Sequence, residues 1–117
     1  MDRSDSGLNF VHNCVLSEDA AVAELEFGWD EDKAAQNLAK HGVSFLTAAA
    51  IFANEILERI DDREDYGEAR FVALGRADMA IFRVVYTWRG EGVIRIISAQ
   101  KASRNEREIY HGQIFPQ

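Results

Sequence analysis

Cysteine is almost missing from this chain. Cys14 is the only one in 117 residues, so no disulfide can close within the chain and no zinc site can be built from cysteines. Histidine is scarce as well. His12, His41 and His111 stand far apart, and no two are spaced as paired helical metal ligands would be. Neither a metal nor any other cofactor is therefore expected. Long apolar runs are missing too: Leu46 to Ala53, interrupted by Thr47, is too short to cross a bilayer. The first residues, MDRSDSGLNFVHNC, have neither the basic start nor the apolar centre of an export signal, and a cytoplasmic protein is expected. Gly28, Gly42, Gly67, Gly75, Gly90 and Gly92 are scattered as turn and cap residues rather than gathered into a phosphate loop. Nor does a nucleophile stand out, since Cys14 falls in a stretch without pattern.

What is present is enough apolar residue, 47% of the chain, for one core. The net charge of -7 is unevenly spread. Residues 1–68 carry 16 acidic and 5 basic side chains, a balance of -11, and residues 69–117 carry 4 acidic and 8 basic, a balance of +4. The second half could meet phosphate if the fold gathers its arginines on one surface, or the charge could serve only solubility.

Residues 1–23 follow neither a period of 2 nor one of 3.6 and are expected to be a poorly ordered extension, leaving residues 24–117 as a single domain. ELEFGWD alternates Leu25, Phe27 and Trp29 with Glu24, Glu26 and Gly28, which predicts a half-buried strand. Asp30 then caps a short helix with acids Glu31 and Asp32 in its first turn, Lys40 and His41 in its last, and Gly42 at its end. Ser44 caps a second helix through FLTAAAIFAN. A short strand around Ile56 and Ile60 leads into an acidic turn expected to lie in solvent, and RFVALG, MAIFRVVYTW and GVIRIISA predict an antiparallel meander. With Gly90 and Glu91 at the tip of its second hairpin, Tyr86 would pair with Arg95 and Arg83 with Ser98. SRNE is a capping box that starts a C-terminal helix near Arg104. The predicted class is α+β, a small antiparallel sheet with two N-terminal helices and one C-terminal helix on one sheet face.

Phosphate chemistry without metal is what these residues leave open. Cutting RNA through its own 2′-OH needs cations around the transition state, a proton acceptor at the 2′ oxygen and a donor at the leaving 5′ oxygen. Arg95, amid apolar strand residues, either clamps phosphate on an open sheet face or pairs with an acid. His41 either exchanges a proton or complements the helix dipole before Gly42. Tyr110, three residues after Arg107, either stacks a base or carries a proton, or it packs against the sheet.

FGWDEDKAAQNLAKHGVSFLTAAAIF, RFVALGRA and VIRIISAQKASRNEREIY, in that order, resemble the BrnT family of bacterial toxins, a branch of the RelE-like ribonuclease toxins. The resemblance runs from about Phe27 to Tyr110. It implies a RelE-like sheet packed with helices, RNA cleavage that inhibits translation, and neutralisation by an antitoxin with a ribbon-helix-helix DNA-binding domain, through which the pair represses its own promoter. It also implies a late strand reading Arg, two apolar residues, Ser-Ala, Arg and a basic residue. Here those positions are Arg95, Ile96, Ile97, Ser98, Ala99, Gln100 and Lys101, so Gln100 departs from the pattern. A glutamine donates hydrogen bonds to phosphate but supplies no charge. On this reading Arg70, Arg95 and Lys101 bind and stabilise phosphate, Tyr110 or His41 transfers a proton, and Arg76, Arg104 and Arg107 add RNA affinity. The alternative is a catalytically weakened module of the same fold that acts by binding its partner and modulating autorepression.

Overall fold

Caps and turns place the helices where the sequence puts them. In the computed structural model, which describes residues 10–13 and 25–115, the Asp30 carboxylate accepts from the backbone N–H groups of Asp32 and Lys33 and starts helix α1, Glu31–His41. Gly42 ends it with φ of 72°, a left-handed conformation that suits glycine. Ser44 caps α2, Phe45–Ala50, which tightens into a 3-10 turn at Ile51–Ala53 rather than running on as one helix. Helix α3, Arg104–Ile114, opens on the full capping box between Ser103 and Glu106.

Among the described residues, six strands form one sheet: β1 (Val11–Asn13), β2 (Glu26–Gly28), β3 (Ile56–Ile60), β4 (Phe71–Ala77), β5 (Ala80–Trp88) and β6 (Val93–Lys101), in the order β1-β3-β4-β5-β6-β2. Strands β3 to β6 are antiparallel neighbours, as expected. The sheet as a whole is mixed, not antiparallel, because β2 runs parallel to β6 with Phe27 beside Ile94 and Gly28 beside Arg95. A period of two fixes which face a strand buries and leaves its direction open. Of the extension expected over residues 1–23, Val11–Asn13 form β1 against β3, and the rest lies outside the described residues apart from Phe10, which is buried.

The helices do not share one sheet face, contrary to expectation. On one side, Phe45, Ala48, Ile51 and Phe52 pack with Ala73, Phe82, Val84, Tyr86, Ile94 and Ile96. On the other, Tyr110, Ile109 and Ile114 of α3 pack with Leu57, Val72, Leu74, Ile81 and Val85. The central strands are apolar on both faces, so both faces need a cover. The β5–β6 hairpin also departs from the expected register: Tyr86 pairs with Ile96, Thr87 with Arg95 and Arg83 with Gln100. The turn closes with Arg89 N–H donating to the Val93 carbonyl at 2.8 Å, and pairing slips between Val85 and Tyr86 where Ile97 is left over as a bulge.

Asn37 joins the helical layer to the sheet. Its side-chain NH2 donates to the carbonyls of Val43 at 3.0 Å and Ala99 at 2.8 Å, and its side-chain oxygen accepts from the Ala99 N–H at 3.1 Å. The amide thereby completes the outer edge of β6 beyond the short β2. Gly75 is required for a different reason: a Cβ there would sit 2.7 Å from the Cβ of Ile51. Asn37→Ala is expected to lower stability by about 2–4 kcal/mol, since it strands buried backbone groups, and Gly75→Ala by about 1–3 kcal/mol through overpacking. Urea denaturation of the two variants against the parent chain measures both.

Candidate functional site

Alternation along the strands sorts the arginines. Arg59 of β3 pairs with Val72, Arg76 of β4 with Ile81, Arg83 of β5 with Leu74 and Gln100, and Arg95 of β6 with Thr87. Directly paired residues share a face, and Val72, Leu74 and Ile81 belong to the cluster under α3. Among the described residues, every arginine carried by a strand therefore lies on the α3 face. Lys101 pairs with Phe82, which belongs to the opposite cluster, so it points the other way.

These arginines differ in what holds them. Arg83 Nε lies 3.1 Å from Glu106 Oε2, while Glu106 Oε1 accepts the Ser103 N–H of the capping box at 2.9 Å. Arg59 lies over the Phe10 ring at 5.1 Å, and its buried Nε has no hydrogen-bond partner among the described residues. Arg70, just before β4, stacks over Tyr66 at 4.1 Å with its Nε 3.2 Å from Glu68. Arg95 is half-buried and has no counter-ion among the described residues. A guanidinium held in place without a carboxylate is available to an anion.

The acidic turn expected to lie wholly in solvent hides one of its members. Asp61 is 3% exposed. Its carboxylate accepts from Arg63 Nε at 2.7 Å and Nη2 at 2.8 Å and from the Tyr66 hydroxyl at 3.4 Å, and its N–H donates to the Arg70 carbonyl at 2.8 Å. Asp61 thus organises the loop that sets Tyr66 and Arg70. The Arg63 hydrogen bond outweighs burial and holds the Asp61 carboxyl below its ordinary range. On the other side of Arg70, the Thr87 hydroxyl donates to the Ala69 carbonyl, which ties this loop to the strand residue paired with Arg95.

Arg70 and Arg95 therefore stand at the same end of the sheet, with Thr87 of β5 between them. Lys101 stands at the other end of β6, roughly 20 Å from Arg95 at the usual rise per residue, and does not join them. Tyr110 is 1% exposed, and its hydroxyl donates to the Glu55 carbonyl at 2.7 Å. Burial pushes that hydroxyl upward in pKa. Exposed His41 lines a cavity of about 210 Å³ at the β6 edge with Lys33, Lys40, Ile97 and Ser98. Arg104 is exposed and pairs with Glu108 at 3.3 Å. Arg76 and Arg107 share a cavity of about 430 Å³ with Asn54 and His111. His111 and Asn54 are not among the sequence-predicted site residues, although the four-residue spacing of Arg107 and His111 on a predicted helix places both on one face. Among the described residues, no group of three or more His, Cys, Asp or Glu side chains is placed to hold a metal ion.

The described residues thus form an α+β fold with the strand arginines collected on one sheet face. Residues 29–106 match the profile of the family described as ribonuclease toxin, BrnT, of type II toxin-antitoxin system, and the chain belongs to that family. A type II toxin has a cognate antitoxin as its partner. The crystal structure of the Brucella abortus ribonuclease toxin BrnT is similar, with a TM-score of 0.53 and 26% identity over 68% of this chain and 99% of that one. No curated protein sequence matches this chain.

Asp61→Asn is expected to lower the thermal midpoint at neutral pH, because Arg63 and Tyr66 lose their shared carboxylate. Since the folded pKa of Asp61 lies below its ordinary value of 3.8, its contribution is complete above that value and is lost as pH falls through the folded pKa. The gap between variant and parent should close as the pH is taken below 3.8, which melting curves across an acid series will read.

Proposed function

We propose that the chain is a RelE-like, metal-independent endoribonuclease that arrests translation in the cytoplasm and is neutralised by a ribbon-helix-helix antitoxin, the pair repressing its own promoter. The observation that carries this reading is the gathering of all strand arginines on one face with Arg95 free of a counter-ion among the described residues. The family's description as a ribonuclease toxin supports it. In this reading RNA crosses that face, and Arg70 and Arg95 grip the attacked phosphate. Their forked donors match phosphate oxygens and neutralise the charge that develops as the 2′ oxygen attacks. His41, at the β6 edge beside Ser98, accepts the 2′ proton. Tyr110 serves from beneath by fixing α3 to the start of β3. Lys101 and Arg104 lend long-range attraction that salt screens.

A second reading, a binding module with weakened chemistry, draws on Gln100, which stands directly across from Arg83 where the family resemblance implies another arginine. Purified protein incubated with RNA in EDTA separates the two. Cleavage that persists in chelator and falls about 100-fold or more in Arg95→Ala supports the ribonuclease. A folded parent chain that neither cuts RNA nor arrests growth when expressed without its antitoxin supports the module.

A further inference from the structure

The cleft between the β4–β5 hairpin and α3 adds aromatic rings to the cations of the arginine face. Its main cavity, about 430 Å³, is lined by Asn54, Arg76, Asp78, Met79, Arg107 and His111 among others. An adjoining cavity of about 360 Å³ shares Asn54 and Arg76 and is lined by Tyr110, Ile114 and Phe115. Arg107 spends one N–H on the Ala102 carbonyl at 3.1 Å, and among the described residues neither Arg76 nor Arg107 is ion-paired to a carboxylate. Beside these cations stands an aromatic stack. The His111 ring lies on Phe115 at 5.9 Å and 27°, with Tyr110 edge-on behind it, and the Arg76 guanidinium hovers over Phe115 at 6.0 Å. Phe115 nevertheless keeps 48% of its surface exposed, and Met79 at the hairpin tip keeps 98%.

We infer that this cleft is a nucleotide-binding subsite for single-stranded RNA, in which Arg76 and Arg107 hold a phosphate and the exposed Phe115 ring stacks the adjoining base. The inference rests on the ribonuclease reading and adds a second point of contact to it. Unpaired guanidiniums next to an exposed, pre-positioned ring are the two elements that single-stranded RNA sites combine, charge for the backbone and a π face for the base. An acidic peptide would use the arginines but would gain nothing particular from the ring. Arg107, His111 and Phe115 all lie beyond residue 106, where the family match ends. Arg76 lies within the matched residues, so the subsite joins a cation inside the matched region to a ring and a second cation beyond it.

Fluorescence anisotropy with a labelled 2′-O-methyl oligoribonucleotide, which lacks the attacking hydroxyl, tests the subsite on the full chain. Arg76→Ala and Arg107→Ala should each flatten the dependence of log affinity on log salt by about 0.7. Phe115→Ala should weaken binding by about 5- to 100-fold without changing that slope, and Phe115→Trp should restore it. If Arg95→Ala weakens binding while these variants behave as the parent, the subsite is wrong and the ribonuclease reading stands. If the arginine variants weaken binding and Phe115→Ala does not, the cleft is a general cationic patch and the nucleotide subsite is overturned. A parent chain that binds no oligonucleotide overturns both.

Discussion

Neither face of β4 and β5 can be left to water, and the placement of everything else follows from that. Val72, Leu74 and Ile81 on one side and Ala73, Val84 and Tyr86 on the other are all buried. One helical layer cannot satisfy such strands. The hairpin of α1 and α2 covers one side, α3 covers part of the other, and Asn37 fixes the first layer by completing the backbone pairing of Ala99. Tyr86 shows how far the burial reaches: its hydroxyl is inside the structure, donates to Glu58 at 2.8 Å, and is driven upward in pKa chiefly by desolvation.

Division of the core between two faces also divides the charge. The face under α1 and α2 is filled by the larger cluster, with Phe45, Phe52 and Tyr86 in it, and none of the strand arginines among the described residues lies on it. The α3 face is covered by one helix, and arginines on β3 to β6 can keep their heads near water while their stems lie on apolar neighbours. Fold and electrostatics are therefore one arrangement: the half-covered face is where positive charge can stand in a chain that is acidic overall. The acids of the first half that do touch this region are used as braces. Asp61 and Glu68 set the loop around Arg70, and Glu68 also reaches Arg89 at 3.3 Å.

Local signals in the sequence were informative because they act locally. Asp30, Gly42, Ser44 and the Ser103–Glu106 box each concern backbone groups within four residues, and each does in the structure what its spacing predicts. The β2 direction, the Ile97 bulge and the side on which α3 packs were not legible, since each depends on partners far along the chain. Asn37 is the clearest case. A polar residue in a charged helix reads as a surface residue, and only the approach of Ala99, 62 positions away, makes it a buried one. The candidate site divides in the same way. Arg95 was readable as an arginine among apolar strand neighbours, whereas its placement at the same end of the sheet as Arg70 needed the strand register, and the separation of Lys101 from both needed the faces.

Gln100 can now be weighed by its surroundings. It lies across from Arg83, whose Nε is 3.1 Å from Glu106. An arginine at position 100 would face Arg83 at cross-strand distance, about 5 Å between Cβ atoms, and like charges so placed repel. The two would also compete for Glu106, whose other oxygen is already engaged by Ser103 in the cap of α3. Glutamine removes that competition and leaves Glu106 to hold β5 and the start of α3 together. Glutamine at position 100 thus leaves α3 seated through Glu106, and α3 is the element that carries Arg107 and His111 to the far end of the same face.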